Sequence, residues 1–189
     1  MRALEKTYEL LDIVDENDVV VGTVERTPEW NKTRPTIHRF VHVYVWTDDG
    51  RLVVQQRSSK KSSNPLKYDA AVGGLVASGQ GYQAEAHREM AEELGITGDL
   101  TEICPILDID PTTGTLRAHA RIFELTHNGP YTNWQAEAER LEYFHPTELT
   151  ATMERFPYLF CLGFINSWAA YCRARGWPMN FPDNLEKIT

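Results

Sequence analysis

The run from Gly73 to Ile96, GGLVASGQGYQAEAHREMAEELGI, constrains this chain more than any other segment. It reads as a tight glycine turn, a short loop and a helix over Tyr82–Leu94. Ala86, Met90 and Leu94 recur at i, i+4 and i+8, a stripe suited to packing on a core. Gly95 stands where a left-handed C-terminal cap belongs. Glu85, Glu89, Glu92 and Glu93 gather on the other side at spacings of three and four. Like charges at those spacings repel, so an ordinary helix gains nothing by collecting them, whereas a bound divalent cation converts the repulsion into a binding site. The plainer alternative is a solvated helix rich in glutamate and alanine.

The rest of the chain supplies the scaffold. Leu11–Val14 and Val19–Val24 flank Asp15-Glu16-Asn17-Asp18 and read as a hairpin, about 8–25 in all. Pro28 and Pro35 bracket a loop that contains Trp30. In His38–Trp46, Val41, Val43 and Val45 fall on one face and Phe40, His42, Tyr44 and Trp46 on the other, the pattern of a central strand covered on both sides. Asp48-Asp49-Gly50 makes a turn into its partner, Arg51–Arg57. A polar loop, Ser58–Lys67, leads to a short strand at Tyr68–Val72. Beyond the helix, strands are expected at Ile103–Ile109 and Leu116–Leu125, joined by the DPTTGT turn, and at Arg140–Phe144. A short helix from Pro146 to about Met153 follows. The C-terminal helix, about 158–175, carries Leu159, Leu162, Ile165, Trp168 and Ala169 on one broad face. Strands, helix, strands, helices is the order of an α/β sandwich with a mixed sheet.

Length and charge exclude several classes. A chain of 189 residues supports one domain, and 1–189 is read as one. It has no run of eighteen apolar residues, so no transmembrane helix is expected. Its N-terminus lacks the apolar core of a secretory signal, and the cytoplasm is the expected compartment. Cys104, Cys161 and Cys172 are odd in number and widely spaced, which suits core thiols better than disulfides or zinc. A net charge of −8 argues against an extended nucleic-acid surface, though not against a nucleotide substrate.

The glycine-to-glycine segment resembles the Nudix box, the signature of the Nudix hydrolase superfamily. That pattern is a glycine, five residues, a glutamate, seven residues, then Arg-Glu, an apolar residue, any residue, Glu-Glu, any residue, Gly and an apolar residue. Gly74 begins it here, and Arg88, Glu89, Met90, Glu92, Glu93, Gly95 and Ile96 follow in register. Eight of the nine specified positions match, and Gln80 stands where the first glutamate belongs. LLDIVDENDVVVGTVER, HRFVHVYVWTDDGRLVVQQRSSKK and YDAAVGG are similar to the isopentenyl-diphosphate-isomerase-like branch of that superfamily, a resemblance covering roughly residues 8–150. It implies a Nudix-type α/β/α sandwich with a central mixed sheet.

The resemblance also implies roles. Glu89 and Glu93, one turn apart, become the first pair of ligands for Mg²⁺, with Mn²⁺ as the alternative, and Glu92 completes the set. Glu89 and Glu92 are the catalytic candidates, with the choice of base open. Gly73 and Gly74 turn the chain sharply, and the Gly74 carbonyl approaches the metal in similar proteins. In the family the glutamate at position 80 anchors the loop to the box arginine, here Arg88. Gln80 keeps a hydrogen bond to it at most. Glu85 lies outside the pattern and is read as a solvated residue or an extra neighbour of the metal. Arg57, at the QxR position of this branch, is the candidate for substrate phosphates, ahead of Lys60 and Lys61. Asp69 is expected to order the box turn, and Glu137 matches an acidic position downstream of the core. Trp134, His119 and Tyr44 are pocket candidates that packing explains equally well.

Hydrolysis of a diphosphate linked to another moiety, a nucleoside among the candidates, is therefore the leading expectation. A catalytically weak ligand-binding protein is the alternative that Gln80 suggests. Isomerisation of isopentenyl diphosphate is disfavoured. Val72–Val76 holds neither the cysteine nor the nearby metal histidine of that enzyme, and His38 alone cannot rebuild its site. The partner expected is a small diphosphate, with no membrane, and a homodimer is left open.

Overall fold

A computed structural model describes residues 7–110 and 113–179 of the chain. The strands are β1 (Leu10–Val14), β2 (Val20–Glu25), β3 (His38–Trp46), β4 (Leu52–Arg57), β5 (Tyr68–Ala70), β6 (Val72–Leu75), β7 (Thr101–Ile109), β8 (Leu116–Thr126) and β9 (Ala138–Phe144). The helices are α1 (Pro28–Thr33), α2 (Tyr82–Leu94), α3 (Pro146–Arg155) and α4 (Leu162–Arg175). No helix among the described residues is long and apolar enough to cross a membrane.

β1 and β2 form a hairpin of their own, and the other seven strands form one sheet. β3 lies at its centre. It runs parallel to β8 from His38↔Ala118 to Trp46↔Thr126 and antiparallel to β6 from Phe40↔Leu75 to Val43↔Val72. The sheet is therefore mixed. β4 meets β3 only at Trp46↔Leu52 and spends its length between β5 and β9.

The alternation in β3 divides the interior as the sequence predicts. Val41, Val43 and Val45 join Ala86, Met90 and Leu94 of α2 in one buried cluster. Tyr44 joins Phe164, Ile165, Trp168, Tyr171 and Cys172 of α4 in another. Two faces of one sheet, each covered by a helix, make the α/β/α sandwich. Leu11, Trp30 and Leu75 form a third cluster beneath the hairpin.

Four local expectations change. The stretch around Trp30 is helical, with Thr27 accepting the Trp30 N–H as an N-cap and Pro28 at the first helical position. Tyr68–Val72 is not one strand: β5 pairs with β4 and β6 with β3, so the chain changes partners at Ala71. The C-terminal helix starts at Leu162, because Pro157–Leu159 forms a 3₁₀ turn and Phe160 is extended, bridging Tyr68. Its buried face is carried by Phe164, Ile165, Trp168, Tyr171 and Cys172, and Leu159 is exposed. Residues 111 and 112 of the expected DPTTGT turn lie outside the described residues. The three cysteines are free thiols, with Cys161 and Cys172 buried.

Candidate functional site

The site begins with two elements pressed together. β6 is the strand that runs beneath α2, and Gly73 and Gly74 lie within it, opposite His42 and Val41. They do not form a turn. Their lack of a side chain serves close approach instead. A Cβ on Gly74 would overlap the Glu89 side chain, and one on Gly73 would stand 3.2 Å from the Phe40 ring. Glu89 therefore lies over the strand because position 74 is bare. Glu93, one turn along, accepts the Gly73 N–H at 3.2 Å.

Arg88 is the hub of the acidic side of α2. Its Nε donates to Glu85 at 2.9 Å, its Nη2 to Glu89 at 2.7 Å and also to Glu85, and its Nη1 to Glu92 at 2.5 Å. The sequence contained the clue, since Arg88 stands at i+3 from Glu85 and i−4 from Glu92. The four carboxylates do not aim at one point. Glu85, Glu89 and Glu92 face the guanidinium, whereas Glu93 faces Gly73. Among the described residues no three His, Cys, Asp or Glu side chains converge as a preformed metal cage.

Gln80 does not contact Arg88. It is exposed, and its backbone N–H donates to Ala77. Glu85, expected in solvent or near a metal, is fully buried and accepts the Ala77 N–H as well as the Arg88 donors. The hairpin grips the same loop from the other side. Ser78 N–H donates to the Leu10 carbonyl, and Asp12 accepts from Ser78 Oγ at 2.6 Å and from Gly79 N–H at 3.1 Å. Asp18 accepts from Tyr82 at 2.9 Å and from Arg39 at 2.6 Å, tying the hairpin turn to the start of α2.

Two of the three basic candidates are already partnered. Arg57 donates to Asp69 at 3.1 Å and to the Ser63 carbonyl, so it is not a free phosphate ligand. Asp69 accepts from Arg57 through Oδ2 and from the Ala70 N–H through Oδ1 at 3.0 Å, just before the chain enters β6. Lys61 pairs with Glu137 and lies within electrostatic reach of Glu93 and Glu89. Lys60 is exposed. Tyr44 is a core residue bonded to Ser167, and His119 meets the Asp15 carbonyl on the hairpin side. Trp134 packs half-buried against the cluster under α2.

Burial dominates the electrostatics of the two inner carboxylates. It raises Glu89 to about 7, with Arg88 opposing and Glu85 and Glu92 reinforcing the shift. It raises Glu93 to about 8, with the Glu89 charge next in importance. Two acids that resist ionisation because they are buried together are stabilised as anions by a cation between them. Oxygen-only donors suit Mg²⁺ or Mn²⁺, and the bare Gly74 leaves room for the Glu89 carboxylate. The residues present therefore fit a divalent cation: Arg88 bonds Glu89 at Oε1, and a carboxylate has a second oxygen to offer a cation.

Comparison with known proteins follows the same lines. The NUDIX domain family profile matches residues 36–160. An uncharacterised Nudix hydrolase of Yersinia pestis is 30% identical over 151 residues, which is 78% of this chain and 79% of that protein. An uncharacterised Nudix hydrolase of Streptomyces coelicolor is 44% identical over 90 residues, and the match spans only 49% of its length. A crystal structure from Deinococcus radiodurans superimposes with a TM-score of 0.64 at 27% identity, covering 78% of this chain and 90% of that one.

Proposed function

The chain belongs to the Nudix family, and on that premise we propose that it hydrolyses a diphosphate linked to another moiety, with Mg²⁺ or Mn²⁺ held by Glu89 and Glu93 and with Glu92 beside them. The observation that carries this reading is the paired burial of Glu89 and Glu93 against the bare strand at Gly73–Gly74. The cation supplies neutralisation of the diphosphate charge and alignment of the nucleophile.

The chain's own residues do the rest. Arg88 keeps Glu89 and Glu92 together on one flank of α2. Glu92 is the most solvent-open of the box carboxylates and accepts the proton of the attacking water. Arg57 and Lys61 supply the positive charge, and each meets a substrate phosphate by exchanging its present acidic partner, Asp69 or Glu137.

Arg88 has an acidic partner in Glu85 although position 80 carries no acid, which weighs against the ligand-binding alternative. Isomerase chemistry has no thiol here: Cys161 and Cys172 lie in the α4 cluster and Cys104 on β7. Incubation with nucleoside and non-nucleoside diphosphate derivatives and either cation should release a phosphate-containing product. E89Q should slow release at least about a hundredfold, as loss of a group aimed at the reacting centre does. Isopentenyl diphosphate should yield no dimethylallyl isomer. No product from the panel with either cation, or efficient isomer formation, would sink the reading.

A further inference from the structure

We infer that Glu85 is the positioning carboxylate of this site, and that it performs from within the helix the task the family pattern gives to position 80. The inference rests on the hydrolase reading and concerns how the carboxylates of that site are aimed. Glu85 is buried in the first turn of α2 and reaches two elements at once. Its Oε2 accepts the Ala77 N–H of the loop at 3.2 Å, and its Oε1 accepts Nε and Nη2 of Arg88.

A guanidinium is planar, so a partner gripping its Nε–Nη2 edge fixes the direction of the remaining donors. Those donors hold Glu89 at 2.7 Å and Glu92 at 2.5 Å. Glu85 therefore acts on Glu89 and Glu92 through Arg88. A buried carboxylate without a partner is costly, which makes the pairing with Arg88 obligatory. The loop needs no acid at position 80. Ala77 is held in both directions, its N–H by Glu85 and its carbonyl by the Gln80 N–H, and Leu10 and Asp12 clamp Ser78 and Gly79. In this chain the acid that grips Arg88 stands on the helix at 85, and position 80 on the loop is neutral.

The test uses the full chain and Mn²⁺ alone, titrated by electron paramagnetic resonance, alongside thermal unfolding. In E85Q the amide oxygen still accepts from Ala77, but the amide nitrogen cannot accept from Arg88, which is then free to close on Glu89. Mn²⁺ affinity should fall about tenfold, the scale on which partners behind metal ligands act. Q80E/E85Q returns an acid to the loop and should recover affinity to within about threefold of the wild type. A residue needed only for the fold would lower the melting temperature, and Q80E would not restore Mn²⁺ binding.

Unchanged Mn²⁺ affinity in E85Q overturns the inference. If E85Q fails to fold, Q80E/E85Q decides: a folded double variant that binds Mn²⁺ weakly overturns it, and near-wild-type binding supports it. E89Q separates the two levels of argument. Loss of Mn²⁺ binding in E89Q with none in E85Q removes Glu85 alone, whereas unchanged binding in E89Q removes the metal site and this inference with it.

Discussion

The two faces of the sheet are held by different physics. Beneath α4, Trp168 stacks on Tyr171 with ring centres 5.6 Å apart and an interplanar angle of 8°, and Tyr44 and Trp46 complete an aromatic layer. Tyr44 pairs with Ser167 at 2.8 Å and Trp168 Nε1 with Thr150 at 3.0 Å, whereas Trp46 Nε1 is buried without a hydrogen-bond partner among the described residues. Beneath α2 the apolar stripe is narrower, and on its flank charged groups are buried against one another around Arg88. Burial of aromatic surface stabilises the first face directly. Burial of carboxylates on the second opposes stability unless partners or a cation compensate. The α4 face is therefore held chiefly by aromatic burial, whereas the α2 face carries buried charge beside its apolar cluster.

The sharpest way to break this contrast is W168A. Removing a fully buried Trp that stacks on Tyr171 should cost about 3–5 kcal/mol in denaturant unfolding, while the protein that remains folded binds Mn²⁺ as before. A cost below about 1 kcal/mol, the range of ordinary surface changes, would show that the aromatic layer is not the main support.

A smaller effect should appear on acidification. His38 is buried beside Trp30, with Arg34, Arg117 and Asp108 as its charged neighbours and the Thr36 carbonyl near Nδ1, and burial lowers it from 6.5 to about 4. The unfolded chain then binds a proton that the folded one refuses between those values. His38 thus contributes stability that is present above pH 6.5 and is lost as pH falls toward 4. By pH 5 the loss relative to pH 8 should be about 2 kcal/mol. Comparing urea midpoints of the wild type and H38N at both values isolates this share, and identical slopes would remove it.

The smallest stability change is expected at the α2 face. In G74A the new methyl overlaps the Glu89 side chain from its carboxylate back to Cγ, atoms that can swing aside, so unfolding should change by about 1 kcal/mol. Glu89 must nevertheless move, and Mn²⁺ affinity should drop about tenfold. Unaltered Mn²⁺ binding in G74A would show that the bare strand does not set the Glu89 position.

Much of this was legible because it is periodic or local. The period of two in His38–Trp46 and the i, i+4, i+8 stripe of α2 each point a defined set of side chains at a core, and both clusters formed as expected. The Gly95 cap is likewise a local property, with a φ of 68°. The signals that were present but misread were also local. Thr27-Pro28 announces the start of α1, and the spacings 85–88–92 announce the Arg88 pairings.

Residue types and their spacing by themselves determined the box helix, its buried stripe, the covered central strand and the supply of carboxylates. These depend on contacts within a turn or along one strand, where spacing in the chain is spacing in space. Only the tertiary structure decided where those carboxylates point. Gly74 matters because Glu89, fifteen residues later, lies against it. Glu85 takes Arg88 because the loop at Ala77 folds back onto α2 and the distant hairpin at Leu10 and Asp12 clamps Ser78 and Gly79. Arg57 is occupied because β5 brings Asp69 alongside β4. Each depends on which elements are packed together, a choice made by the burial of the whole chain.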